Sequence, residues 1–146
     1  MEGLSAAQAI VQFIDVASKI VKRGVEFHRS PDGQLAEHRE LKNVTADLAH
    51  HADVLKGAVS SGSDGRRLPE HEVAQMDIGR ECQEVAADLL RVLDKLADAG
   101  EKSQVPWKSF RQAMVALRED KKIQSLEKRL DRLRQEMVVI VLNSLR

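Results

Sequence analysis

The stretch LSAAQAIVQFIDVASKIVKRGVEF, residues 4–27, decides the fold class. Placed on a helical wheel, Gln8, Gln12, Asp15, Lys19, Lys22, Arg23 and Glu26 share a single arc of about 100°. The rest of the circumference is apolar or small. Ile10, Phe13, Ile14, Ala17 and Val21 stand there with Ala9, Val11, Val16, Ile20 and Val25, and Ser18 is the polar exception. An ordinary surface helix shows the reverse proportion, an apolar stripe somewhat over about 100° wide. A helix apolar over most of its girth must be covered on nearly all sides. Three coverings fit: the centre of a helical bundle, a partner protein, or lipid reached after release. One helix can be stored in the first state and used in the others.

Working outward, Ser5 followed by Gln8 forms a possible capping box at the start of this helix. Ser30-Pro31-Asp32-Gly33 ends it with turn chemistry at every position. A second helix is expected over 34–59, where Leu41, Val44, Leu48, Leu55 and Val59 recur at helical spacing. The run Ser60-Ser61-Gly62-Ser63-Asp64-Gly65 reads as a flexible loop, extending to about 68. Pro69 suits the first turn of a third helix over 69–99, with Met76, Cys82, Val85, Leu89, Leu93 and Leu96 facing inward. Gly100 is the expected C-cap.

A fourth helix is expected over 106–118, with Trp107, Phe110, Met114 and Leu117 spaced three, four and three. Trp107 and Phe110 are large and aromatics are scarce, so both are expected to anchor this short helix in the core. A fifth, over 121–145, carries Ile123, Leu126, Leu130, Leu133, Met137 and Ile140 in the same rhythm, with Leu126, Leu130 and Leu133 as core. The six-residue step from Leu117 to Ile123 turns roughly 240° on a helix, so the two stripes are out of phase. A break near Glu119 to Lys122 is expected, although no glycine or proline stands there. The fifth helix is itself two-part: charge-dense over 124–136, then apolar on all faces over Met137-Val138-Val139-Ile140-Val141-Leu142. That end either enters the core or docks on whatever follows. No strand alternation and no internal repeat occur, so the fold expected is an all-α, elongated antiparallel bundle of four to five helices forming one domain, 1–146.

Charge is balanced overall and uneven along the chain. Residues 31–100 hold eight bases and fourteen acids, whereas residues 101–146 hold eleven bases and six acids. The basic third either meets phosphates or meets the acidic middle of its own bundle. Zero net charge, three Phe, one Trp and no Tyr disfavour a nucleic-acid partner, which needs basic surface and rings to stack bases. One cysteine, Cys82, permits no internal disulfide, fits a reducing cytosol, and reads as a small core residue. Glu2 and the charges at Asp15, Lys19, Lys22 and Arg23 argue against a signal peptide. No apolar run approaches the length of a membrane span.

No phosphate-cradling loop, nucleophile elbow, paired-cysteine motif or helical His-Glu metal pattern is present, so no catalytic, cofactor or metal residue is assigned. His28, His38, His50, His51 and His71 are scattered, and the adjacent His50 and His51 point about 100° apart on a helix.

Met1-Glu2-Gly3-Leu4-Ser5-Ala6-Ala7, followed by the apolar run from Ile10 to Val21, resembles the opening of the N-terminal domain of fungal STAND receptors, the NACHT-bearing NOD-like receptors. Trp107-Lys108-Ser109-Phe110-Arg111-Gln112-Ala113 is similar to a later helix of that domain. So is Ile123-Gln124-Ser125-Leu126-Glu127-Lys128-Arg129-Leu130-Asp131-Arg132-Leu133-Arg134. The likeness covers both ends of the chain, while residues 31–100 match only in helical character. It implies a HeLo-like helical domain at the head of a receptor, related to the four-helix domain of the necroptosis pseudokinase and the coiled-coil domains of plant immune receptors. A nucleotide-binding module would follow in cis, and a chain ending at Arg146 inside an unfinished helical pattern agrees with a domain cut from a longer polypeptide. The resemblance further implies a cytoplasmic protein without cofactor. Its copies oligomerise on activation and meet membrane lipids, anionic ones above all, at the plasma membrane to trigger cell death. Ile10, Phe13, Ile14, Ala17 and Val21, with Lys19, Lys22 and Arg23, are the candidate contacts to lipid or partner. The alternative is an adaptor domain that binds another protein without touching lipid.

Overall fold

The computed structural model describes residues 5–23, 34–60, 70–102 and 110–144. Among these, all but Ser5, Leu117, Arg118 and Glu119 are α-helical, and no strand occurs. The elements are α1 (Ala6–Arg23), α2 (Gln34–Ser60), α3 (Glu70–Lys102), α4 (Phe110–Ala116) and α5 (Asp120–Ser144). With a rise of about 1.5 Å per residue, α3 alone is roughly 50 Å long, so the all-α bundle is elongated. The expected end of the first helix at Phe27, most of the expected loop over 60–68, and Trp107 lie outside the described residues, as does the side chain of Phe110.

The capping box at α1 forms as the residues dictate. Ser5 Oγ accepts from the Gln8 amide at 3.2 Å, and Gln8 Oε1 accepts from the Ser5 amide at 3.3 Å. Two amides that lack partners at a helix start are thereby satisfied. At the other end of α3 the expectation needs correction. Gly100 lies inside the helix, which continues to Lys102. A glycine costs a helix only about 1 kcal/mol relative to alanine, so it permits a stop without imposing one.

The break between α4 and α5 falls at residues 117–119, slightly ahead of the expected stretch, and an arginine makes it. Arg118 adopts a left-handed backbone with φ 62°. Its amide donates to the Val115 carbonyl at 3.1 Å, and the Glu119 amide donates to the Met114 carbonyl at 2.8 Å. This pair of bonds is the Schellman C-cap, a place usually held by glycine. Lys95 Nζ grips Glu119 Oε1 at 2.6 Å and ties the turn to α3.

Contacts fix the topology. Ile10 near the start of α1, Val59 near the end of α2 and Gly79 in the first half of α3 meet at one level. Lys22 near the end of α1 pairs with Asp131 in the middle of α5. Arg129 and Arg132 of α5 pair with Glu84 and Glu81 of α3. Neighbouring long helices therefore run antiparallel in the order α1, α2, α3, α5. In addition, α1 packs against α3 across the bundle. Fully buried side chains come from every element: Phe13 and Ile10 from α1, Leu48 and Leu55 from α2, Leu89, Leu93 and Leu96 from α3, Met114 from α4, and Leu126, Leu130 and Leu133 from α5. Each such burial contributes roughly 1.5 to 3 kcal/mol relative to exposure.

Cys82 is fully buried in this core. Loss of solvent pushes its thiol up to about 12, the neighbouring Glu81 carboxylate adds to the rise, and Arg129 offsets part of it. The folded chain thus holds a neutral thiol, a small apolar filler rather than a nucleophile. One buried polar atom is unmatched: Ser18 Oγ, the exception on the α1 wheel, has no hydrogen-bond partner among the described residues.

Three measurements follow from these contacts. A Cβ at Gly57 meets nothing within 4 Å, whereas one at Gly79 would stand 2.7 Å from Val59 Cγ2 and 3.5 Å from Ile10 Cδ1. Gly57→Ala should therefore gain about 1 kcal/mol from helix propensity. Gly79→Ala should lose more to overpacking, roughly 1 to 3 kcal/mol, than it gains. Thermal unfolding should move the two melting temperatures in opposite directions. Arg118→Gly relieves a left-handed residue at about 1 to 2 kcal/mol and returns part of that as chain entropy, so a small rise in melting temperature is expected. For Cys82, the unfolded thiol ionises from about the ordinary value of 9.0 while the folded one keeps its proton. Stability from this group is complete below that pH and falls as pH rises above it. Denaturant titrations at rising pH should show wild type losing stability faster than Cys82→Ala; parallel curves would contradict the assignment.

Candidate interaction surface

On α1 the burial pattern follows the wheel. Gln8, Gln12, Asp15, Lys19 and Lys22 face solvent. Ile10, Phe13, Ile14, Ala17 and Val21 are buried against α2, α3 and α5. In this conformation Ile10, Phe13, Ala17 and Val21 are closed to lipid and partner, and Ile14 reaches only the floor of a groove. The two described lysines of the polar stripe are engaged: Lys19 Nζ lies 3.2 Å from Asp15 and Lys22 Nζ lies 3.0 Å from Asp131. The Arg23 side chain is outside the described residues.

The basic C-terminal third meets the acidic middle of its own bundle, the second of the two alternatives left open by charge distribution. Arg129 lies 3.3 Å from Glu84, 3.6 Å from Asp88 and 3.9 Å from Glu81. Arg132 hydrogen-bonds Glu81 and sits 3.8 Å from Glu136, and Lys122 is 3.6 Å from Asp88. Spacing explains the row. Residues 122, 129 and 132 of α5 recur on one face, as do 81, 84 and 88 of α3, so the antiparallel pair matches base to acid over about two helical turns. Exposed pairs of this kind are worth at most about 1 kcal/mol each, but together they fix how far α5 slides along α3. A cleft of about 780 Å³ between these helices is lined by Glu81, Arg132 and Glu136 of this row, and by Asp77, which pairs with Arg80.

The accessible apolar surface is elsewhere. The all-round apolar end of α5 is covered on one side only: Met137 is buried and Ile140 half-buried. Val138 is 52% exposed and Leu142 59% exposed, and Val139 and Val141 are exposed as well. Across from them Val11 of α1, on the apolar side of the wheel, is 50% exposed. Val11, Val138, Val141 and Leu142 edge a groove of about 540 Å³ between α1 and α5, floored by Ile14 and Met137. Gln12 and Asp15 of α1 and Arg134 of α5 complete its lining. Arg134 is half-buried, and its guanidinium has no ion-pair partner among the described residues.

The candidate residues read from sequence therefore divide. The apolar five are brought together as core, and the lysines are brought to surface ion pairs. Val11, Val138, Val141, Leu142 and Arg134 form a surface that the periodicity of α1 did not indicate. The signal for it was the six-residue apolar run 137–142, which has more apolar faces than one bundle contact can cover.

Among the described residues, no group of His, Cys, Asp and Glu is arranged to hold a metal ion. The adjacent His50 and His51 of α2 meet edge to face with ring centroids 5.6 Å apart, and His51 Nε2 lies 3.6 Å from Asp47. No described helix is long and apolar enough to cross a membrane. No protein-family model matches the chain, and neither a curated protein nor a solved structure matches it.

Proposed function

We propose that this chain is the N-terminal signalling domain of a receptor of the fungal NOD-like type, held at rest as a closed bundle. When receptor copies gather, it associates with membranes through α1 and triggers regulated cell death. The observation that carries the reading is the sealed apolar face of α1: Ile10, Phe13, Ile14, Ala17 and Val21 are all buried, on a helix whose opposite stripe is polar and exposed. A face of this kind gives solubility while packed and lipid affinity when released. Release opposes the modest total stability of a domain, on the order of 5 to 15 kcal/mol, so a single copy stays closed. Copies joined by a receptor add their affinities through effective concentration. The sequence likeness to that receptor family at both ends of the chain and the all-α bundle support the same assignment. In this reading the domain is non-enzymatic, and its partners are its own copies, anionic lipid when active, and a nucleotide-binding module in cis.

A second reading, an adaptor domain that binds protein without lipid, is favoured by one feature. The apolar surface already exposed lies in the α1–α5 groove, while Lys19 and Lys22, which would face an anionic leaflet, are occupied by Asp15 and Asp131.

Fusion to an inducible oligomeriser separates the two. The oligomerised domain should release dye from anionic liposomes, with hydrogen exchange showing α1 amides losing protection as leakage begins. Absence of leakage would favour the adaptor. Leakage with α1 still protected would transfer the membrane role to another element.

A further inference from the structure

We infer that the α1–α5 groove is a contact surface for a second copy of this chain, formed about a two-fold axis that runs along the groove. Such an axis sets α1 of each copy over α5 of the other. The contact is then isologous, with each residue meeting its counterpart across the helix pair. The lining satisfies that condition in both charge and apolar character. Asp15 stands on the α1 wall and Arg134, without an ion-pair partner among the described residues, on the α5 wall, so in the dimer each carboxylate faces the other copy's guanidinium, twice over. Val11 stands on the α1 wall and Leu142 on the α5 wall, so the exposed valine and leucine meet in the same exchange. Asp15 keeps Lys19 at 3.2 Å, an exposed contact that can be shared or exchanged at little cost.

Area sets the strength. A few half-exposed aliphatic side chains amount to an apolar patch on the order of a few hundred Å² per copy, well under the roughly 800 Å² per partner of a stable complex. The pairing is therefore weak between free domains. It becomes populated when a scaffold holds copies at the millimolar effective concentrations of short linkers. This deepens the proposed function by naming the surface through which gathered copies meet, and rests on that reading only for what gathers them.

The self-association measurement needs no lipid, so its failure is distinct from failure of the membrane reading. Sedimentation velocity over the micromolar-to-millimolar range should show a concentration-dependent dimer for the wild-type chain. Asp15→Arg and Arg134→Asp each oppose like charges at both ends of the contact, and each should weaken self-association by at least about tenfold. Both positions are at the surface, and circular dichroism should show both variants folded. Mixing the two variants restores both opposite-charge pairs in the heterodimer and should recover wild-type affinity. A wild-type chain that stays monomeric over the whole range, single variants that dimerise normally, or a mixture that stays monomeric would each overturn the proposal. The same would follow if Arg134→Asp abolished binding to anionic vesicles while self-association was unchanged, since the groove would then face lipid.

Discussion

Where Gly79 sits, there is room for a hydrogen atom and no more: a carbon there would come within van der Waals distance of both Val59 and Ile10. Three helices converge at that point, and the rest of the bundle follows from their approach. Because α3 has no side chain there, Val59 of α2 seats against its backbone, and Ile10 of α1 reaches the same point at ordinary contact distance. Contact with α2, α3 and α5 together is how a helix with apolar residues over most of its girth is covered without a larger protein around it. Leu48 and Leu55 from one side, and Leu126, Leu130 and Leu133 from the other, close the remaining faces. Cys82 lies one helical turn beyond Gly79 and continues the small-residue surface of α3.

The fifth helix plays two physical roles along its length. In its first half a leucine stripe enters the core while bases on a neighbouring face meet the carboxylates of α3. In its second half the charges end and the apolar residues outnumber the contacts available. Such a helix is well fixed in register at one end and incompletely covered at the other. The uncovered end stands beside the start of α1, the helix whose release the proposed mechanism requires. A neighbour seated in that groove would touch α1 on its exposed side, so copy-to-copy contact and the state of α1 are mechanically adjacent.

Much of this was legible in the residues. The wheel of α1 separated Gln8, Gln12, Asp15, Lys19 and Lys22 from the buried face correctly, because helical periodicity and burial are tightly coupled in a helix packed on three sides. The stripe from Met76 to Leu96 was legible for the same reason. Three features were not. The chain break was located by the phase slip between Leu117 and Ile123, but its cause was hidden, since arginine in a left-handed conformation leaves no signature in composition. Gly79 reads from sequence as a weak spot in a helix, and only the packing of Val59 and Ile10 gives it a purpose. Val11 belongs to the apolar arc yet faces outward, because coverage depends on where the partner helix runs out of matching surface. The membrane and partner roles that the resemblance implies for Ile10, Phe13, Ile14, Ala17 and Val21 require a conformation other than this one.

Both sides of the bundle share an apolar core, but among the described residues the ion pairs between helices gather on the α5 side, so ionic strength acts on the two sides unequally. On the α5 side, Lys22 of α1 reaches Asp131 of α5, and Lys122, Arg129 and Arg132 of α5 reach solvent-accessible carboxylates of α3. On the α2 side the attachment runs through Leu41, Leu48, Leu55 and Val59. At physiological salt the screening length is about 8 Å, and further salt shortens it. The ion pairs fade while the apolar contacts persist, and salting-out anions strengthen the latter. Added electrolyte therefore loosens the register of α5 first and leaves α1, α2 and α3 as the more persistent unit.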